Sequence, residues 1–371
     1  MVDLSRARIS PGSADEISPM NNNDSKPRIG GVRKGRRKTA LTGGRSTLLN
    51  EEDALAKVTW LYYHRKLTQQ QIAEELGISR PTVIRLLRQA SESGLVTVSL
   101  RLDILRRMDI AQEMAQRFGL KEVFIVPTSK RDTESDVIRA VGRTGALYLE
   151  TNIKPDQILT ICWGRMMYEV ASALTEKPVS GLVVAQSFGG LNSGESFNPS
   201  RVTSLVGEKL HARVYHLYVP AMVATKELRD VLLADSGIHA ALEVARHASI
   251  FMAGIGKVEN TATILETGFF DISTIDRLRA RGAVGDISGR YFDIHGKRIL
   301  GDIEDRIIGL TWEDLERLEN VAAVACGQDK TQAILGALRT GILDYLIIDD
   351  RTALEVMNSD GPSRQPLDEA H

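Results

Sequence analysis

The stretch Gln69–Leu86, QQQIAEELGISRPTVIRL, decides the reading of this chain: it predicts two short helices packed across a tight turn. Ala73 is small where crossing helices need close approach. Gly77 supplies the left-handed backbone that a turn demands. Ile72, Leu76, Ile78, Val83 and Leu86 close a small core between the helices. Ser79 is suited to cap the second helix and Pro81 to occupy its first turn, where a missing N–H costs little. At helical spacing Val83, Leu86, Leu87 and Ala90 point inward, while Thr82, Arg85, Arg88 and Gln89 point away. No acid lies between Ser79 and Ser91. An ordinary αα-hairpin shares the spacing but does not require a basic outer face. The expected DNA contacts are therefore Arg80, Thr82 and Arg85 on base edges with Ser79 at the helix start, and Gln69 and Gln70 on phosphate.

The flanks extend this motif into a winged helix-turn-helix domain spanning 49–103. Glu52–Arg65 reads as an amphipathic helix with Leu55, Val58, Thr59 and Tyr62 on one side. Of Tyr62 and Tyr63, one can reach the DNA backbone while the other packs inside. Gly94 stops the reading helix, and Leu95–Leu100 (LVTVSL) alternates as a strand. Residues 1–48 are poor in apolar side chains, with eight basic residues and no acid between Lys26 and Arg45, which predicts a disordered tail. Such a tail adds sequence-blind DNA affinity or has no role.

Net charge is −1, but the average hides a division: through Arg101 there are 17 basic and 10 acidic residues, and after it 30 and 38. A cationic front on an anionic body fits nucleic acid at one end only. With 43% hydrophobic and 26% charged residues among 371, the chain reads as a globular protein of two or three units. Cys162 and Cys326 are too few for a disulfide framework and are expected to be buried free thiols. The seven histidines show no ligand spacing, so no metal is expected. No apolar run reaches 18 residues and no signal-peptide core opens the chain, which predicts a cytoplasmic protein without a membrane span.

From Ile104 the pattern changes. A linker helix over 104–118 is followed by a body over 119–360 and a short tail over 361–371. Val123–Val126, Ile158–Cys162, Leu182–Ala185, Val214–Tyr218, Ile250–Ala253, Val321–Ala325 and Tyr345–Ile348 are short apolar strands. Helical stretches such as Glu134–Glu150, Met166–Leu174, Pro199–His211 and Thr331–Thr340 separate most of them. That alternation predicts an α/β fold with a mostly parallel sheet covered on both faces. Four strands end in glycine-bearing loops: Gly164 with Arg165, Gly189 with Gly190, Gly254 with Gly256, and the Cys326–Lys330 segment. Backbone amides in such loops, helped by Arg165 and Lys330, suit a phosphorylated or polyhydroxyl ligand beyond the strand ends. They also occur as plain tight turns. GIGKVEN does not complete a dinucleotide-binding fingerprint, so no cofactor is expected.

The segments LTQQQIAEELGISRPTVIRLLRQASESGLV, CWGR, GAVGDISGRYFDIHGKRI and VAAVACGQDKTQAILGALRTGILDYLIIDD together resemble the SorC-type sugar-binding transcriptional regulators, from about Glu51 to Leu354. The resemblance implies an effector domain similar in fold to ribose-5-phosphate isomerase and glucosamine-6-phosphate deaminase, sugar or polyol ligands that are typically phosphorylated, and a homotetramer on double-stranded operator DNA. It implies DNA contacts at Tyr62 and Gln69, ligand hydroxyls on Asp286, and an anionic group on Lys330. Asp286 also suits a turn residue bonded to its own backbone. Met166 stands where the family usually has a small hydroxyl residue, which keeps an unphosphorylated sugar or polyol open. The expected function is a regulator whose operator affinity is set by a carbohydrate effector. The alternatives are a sugar-phosphate isomerase or deaminase carrying a DNA module, and an unregulated DNA binder.

Overall fold

The computed structural model describes residues 51–96, 102–191, 197–260, 265 and 271–361. The chain divides between Val98 and Ser99 into two compact units. The first contains α1 (Glu51–Tyr63), α2 (Gln69–Leu76) and α3 (Arg80–Glu92). Leu55, Val58, Leu61, Ile72, Ala73, Val83, Leu86 and Ala90 form its buried core, with Leu67, Leu76, Ile78, Leu87 and Val96 packed around it. Leu61 was absent from the expected inner face of α1, whereas Leu55, Val58 and Thr59 lie there as anticipated. Of the expected strand at Leu95–Leu100, Leu95 and Val96 form a bend, while 97–100, like the tail over 1–48, lie outside the described residues.

Local chemistry sets the ends of these helices. Thr68 and Gln71 form a reciprocal capping box at the start of α2, and Gly77 ends it in the left-handed region (φ 64°). The Gly77 and Ile78 N–H groups return to the carbonyls of Glu74 and Ala73. Ser79 caps α3 by accepting the Thr82 N–H, and Pro81 occupies the first turn.

The second unit is an α/β body with helices on both faces of its main sheet. Seven strands, β1 (Glu122–Val126), β2 (Ile158–Ile161), β3 (Val183–Gln186), β4 (Arg213–Tyr215), β5 (Ile250–Gly254), β9 (Val321–Ala325) and β10 (Tyr345–Asp349), form one sheet ordered β1-β10-β9-β5-β2-β3-β4. Every pairing in it is parallel. β4 stops at Tyr215, short of the expected Tyr218, and Leu217 packs into a separate cluster with Val219, Val223, Leu242 and Ile308.

Both faces of the sheet are covered, which is why its strands are apolar without alternation. On one side α5 (Glu134–Asn152), α6 (Arg165–Ala173) and α7 (Pro199–Leu210) bury Leu149, Met167, Val170 and Val206 against Ile161, Met252 and Val324. Gly145 lets α5 approach α6, since a Cβ there would stand 2.8 Å from Val170 Cγ2. On the other side lie Met114 of α4 (Leu102–Phe118), Ile334 and Leu338 of α12 (Thr331–Arg339), and Val356 of α13 (Asp350–Asp360). The helix expected as a linker over 104–118 thus begins at Leu102, and Met114 in its second half is fully buried in the body's core.

A second sheet, antiparallel and unanticipated, joins β6 (Gly256–Lys257), β7 (Ala283–Ile287) and β8 (Arg290–Asp293). Between β7 and β8 the chain turns through Ser288 and Gly289, both at positive φ (52° and 74°). In the main sheet the chain winds outward from β2 through β3 to β4, then returns to β5 on the other side of β2. Strand order reverses at that point, and such reversals open a crevice beyond the carboxyl ends of the strands.

Candidate functional site

In the first unit, α3 presents Arg80, Arg85 and Arg88 as exposed side chains, with Thr82 half-buried. Arg80 Nε donates to Gln69 Oε1 at 3.4 Å and Arg85 Nη1 to Gln89 Oε1 at 3.3 Å. Each of these two arginines is met by a side-chain amide. Gln69, Gln70 and Arg80 share an open groove with Tyr62, Tyr63, Lys66, Leu67 and Thr68. Tyr62 is half-buried against the helical core and stacks edge-on with the exposed Tyr63 (centroids 5.0 Å apart). All seven residues expected at DNA therefore lie on α3 or along this groove. Lys66 and the capping Thr68 were not anticipated there.

The body holds a cavity of about 480 Å³ at the strand-order reversal. Its walls come from the end of β2 (Cys162, Trp163, Gly164, Arg165, Met166), from β5 and β6 (Gly254 to Lys257), from the β7–β8 turn, and from the loop after β9. Six of the eight expected effector residues meet there: Gly164, Arg165, Gly254, Gly256, Asp286 and Lys330. Gly189 and Gly190 do not. Their N–H groups donate to Ile308 and Val219 carbonyls, and a Cβ on Gly189 would stand 2.6 Å from Ala221 Cα. Close packing of two loops explains Gly189, and both amides are taken up by backbone carbonyls. Their loop contributes an aromatic ring instead: Phe188 stacks on Trp163 with centroids 5.9 Å apart and planes 19° from parallel. Buried Gln186 fixes Phe188 by donating Nε2–H to its carbonyl at 2.6 Å, and His216 Nδ1 lies 3.2 Å from Gln186 Oε1.

Asp286 does two things at once. Its Oδ2 accepts the Gly289 N–H at 2.9 Å, closing the β7–β8 turn, while its side chain lines the cavity. Burial raises its pKa; the Gly289 hydrogen bond and the charge of Lys330 work the other way. Lys330 stands in a single 3-10 turn (Gln328–Lys330) before α12 and donates Nζ–H to the Ile255 carbonyl at 3.0 Å. Burial lowers its pKa despite the nearby Cys326, Asp329 and Asp286. The turn and ligand readings of Asp286 are therefore compatible.

Sequence reasoning missed Lys257, the second lysine of the cavity. It pairs with Asp329 and, at 3.3 Å, with Glu259. Burial opposes its charge, yet those carboxylates together outweigh burial and raise its pKa. Its signal in sequence is the lysine of GIGKVEN, a segment whose glycine spacing fits no dinucleotide fingerprint. Cys162 and Cys326 are free and buried, as expected, and both face the cavity. Burial pushes their thiols up to about 11 and about 12, so neither is a ready nucleophile. Among the described residues no cluster of three or more His, Cys, Asp and Glu side chains could hold a metal, and no helix is long and apolar enough to cross a membrane.

A helical DNA-reading unit on an α/β body with a polar, aromatic-walled cavity defines a ligand-responsive DNA-binding protein. Comparison with known proteins places it further. Residues 103–358 match the sugar-binding domain family, Sugar-bind, and residues 46–120 match the Crp-like helix-turn-helix domain. The chain is 32% identical over 300 residues to the deoxyribonucleoside regulator of Bacillus subtilis (strain 168), covering 80% of this chain and 95% of that protein. It is 30% identical over 312 residues to the transcriptional regulator YjhU of Escherichia coli (strain K12), covering 83% and 95%. The crystal structure of the full-length sorbitol operon regulator SorC from Klebsiella pneumoniae superposes with a TM-score of 0.63 at 25% identity, over 83% of this chain and all of that one. The chain belongs to the SorC-type family of sugar-binding transcriptional regulators. It is a DNA-binding regulator controlled by an effector, and the isomerase or deaminase alternative falls away.

Proposed function

We propose that this regulator binds operator DNA through α3 and the α1–α2 groove, and that a sugar, polyol or sugar phosphate in the body's cavity sets that affinity. Arg80, Thr82 and Arg85 read base edges from the start of α3, beside Ser79, while Gln69, Gln70 and Tyr62 hold the backbone. Asp286 accepts ligand hydroxyls, Lys330 donates to the ligand's polar end, and the Gly164, Gly254 and Gly256 loops with Arg165 close round it. A homotetramer in the cytoplasm would present several reading units to a repeated operator. The observation that carries the reading is the meeting of Asp286 and Lys330, 44 positions apart in sequence, in one cavity at the strand-order reversal. The ligand acts by binding one arrangement of the oligomer more tightly than another, which changes operator affinity by about 5–150-fold for typical couplings.

Fluorescence anisotropy on the DNA upstream of its own gene, with and without a panel of polyols, sugars and sugar phosphates, tests this. At least one compound is expected to shift DNA affinity, and Lys330→Ala should bind the DNA without responding. A panel in which nothing shifts affinity, or a Lys330→Ala protein that responds like wild type, overturns the assignment.

A further inference from the structure

We infer that the cavity selects an uncharged polyol or sugar and disfavours the corresponding phosphate ester. This rests on the cavity being the effector site. The first argument is charge. Arg165, Lys257 and Lys330 line the cavity against Glu134, Asp286 and Asp329, three potential charges of each sign. A phosphate ester brings about −1.5 to −2 near neutral pH. Enclosing it stabilises the complex only where unspent cations offset the lost hydration.

The cations here are already engaged. Lys257 is tied to Asp329 and Glu259, so an incoming phosphate has to displace one carboxylate and then lie beside it. Lys330 gives one N–H to the Ile255 carbonyl, and the nearby carboxylates of Asp329 and Asp286 offset its charge. The Arg165 guanidinium lies over the Phe197 ring, 5.8 Å from its centroid. Beyond Arg165 itself, the N-terminus of α6 brings no side-chain cap: its cap is Gly164, without a side-chain hydrogen bond, and the next residue, Met166, is buried.

What remains suits a neutral polyhydroxyl ligand. Asp286 and Ser288 offer an acceptor and a hydroxyl on one wall, and Lys330 retains further N–H groups for ligand oxygens. The Trp163–Phe188 pair gives the C–H edge of a polyol an apolar surface. Neutral hydroxyls can use the lysines without breaking the Lys257–Asp329 pair. Lys257 and Asp329 therefore act as specificity-determining residues, holding cationic charge away from an anionic ligand.

Calorimetric titration of the full-length protein with matched pairs tests this: sorbitol and sorbitol 6-phosphate, ribitol and ribitol 5-phosphate, ribose and ribose 5-phosphate, with inorganic phosphate alone. The neutral member of a binding pair is expected to be tighter by about tenfold or more, and inorganic phosphate should not compete with it. Asp329→Asn, which loosens the hold on Lys257, should shrink that preference several-fold. A phosphate ester that binds as tightly as its alcohol overturns the inference while leaving the cavity as the effector site. No heat from any pair, in protein that still binds its DNA, overturns the effector site as well. An unchanged preference in Asp329→Asn removes the ion pair from the selection.

Discussion

The two ends of this regulator solve recognition in opposite ways. In the reading unit, Arg80, Arg85 and Arg88 stand in solvent, and the side-chain amides of Gln69 and Gln89 steady two of them. In the cavity, charged groups are matched in advance, Lys257 to the exposed Asp329 at the rim and Lys330 to a carbonyl, with Asp286 locked to its own turn. DNA supplies dense charge and a regular groove, so exposed cations on one rigid helix suffice. The small neutral ligand proposed for the cavity supplies neither, so its site has to be preorganised and largely self-satisfied. The contrast teaches that disturbing the reader should change binding alone, whereas disturbing the cavity should change folding and response together.

The largest expected effect breaks this contrast at its base. Val83 is fully buried at the centre of the three-helix core. Val83→Asp places an unpaired carboxylate there, at a cost of about 3–5 kcal/mol that a unit this small cannot absorb. Operator binding should vanish at all protein concentrations while ligand-dependent melting of the body persists. Retained operator binding would show that the helix-turn-helix core is not what holds α3 in place.

Gly289→Ala comes next. The residue sits at φ 74°, and a Cβ would stand 2.6 Å from Phe188 Cε2. The backbone strain alone is about 1–3 kcal/mol, and the ring that walls the cavity must also move. Melting temperature and ligand-induced stabilisation should fall together. If the protein melts lower but responds to ligand as wild type does, the Trp163–Phe188 wall plays no part in binding.

How the two regions differ in legibility follows from the same physics. The reading unit is local: Ile72, Ala73, Gly77, Val83 and Leu86 lie within fifteen positions, and short-range packing dictates each residue type. The seven parallel strands were equally visible, because burial on both faces leaves continuous apolar runs such as Val321–Ala325. The cavity was only half visible. Asp286 and Lys330 stood out by motif, but Lys257 meets Asp329 across 72 positions and Trp163 meets Phe188 across a crossover helix, contacts that no spacing rule encodes. Gly189 and Gly190 differ from expectation for a related reason: a glycine that packs against Ala221, as Gly189 does, or whose amide bonds a neighbouring loop, as both do, looks in sequence like one that frees an amide for a ligand. The antiparallel layer escaped because β6 is two residues long and β7, AVGDI, carries two polar-loop residue types, Gly285 and Asp286.

Arg85→Ala sharpens the reader's half of the contrast. The side chain is exposed on α3, so melting should not change. Affinity for the specific operator should fall by about 1–3 kcal/mol, and affinity for unrelated DNA by less. Equal losses on both DNAs would reassign Arg85 from a base edge to phosphate.

The smallest effect lies in the cavity and has a sign that the reader cannot mimic. Burial holds the Asp286 carboxyl above its ordinary 3.8, with Gly289 N–H and Lys330 opposing and the neutral Tyr291 phenol beside it. The folded chain therefore binds this proton more tightly than the unfolded chain does. Asp286 favours folding most below 3.8, and that contribution is lost as pH rises through the folded value. Asn at this position keeps an oxygen for the Gly289 N–H but cannot ionise. Wild type should thus lose melting temperature relative to Asp286→Asn between pH 4 and 7, while the variant's ligand-induced stabilisation is reduced throughout. A difference between the two proteins that does not vary with pH would mean that the carboxylate is as well solvated in the cavity as in the unfolded chain. The closed, self-matched character assigned to the site would then fail at its central residue.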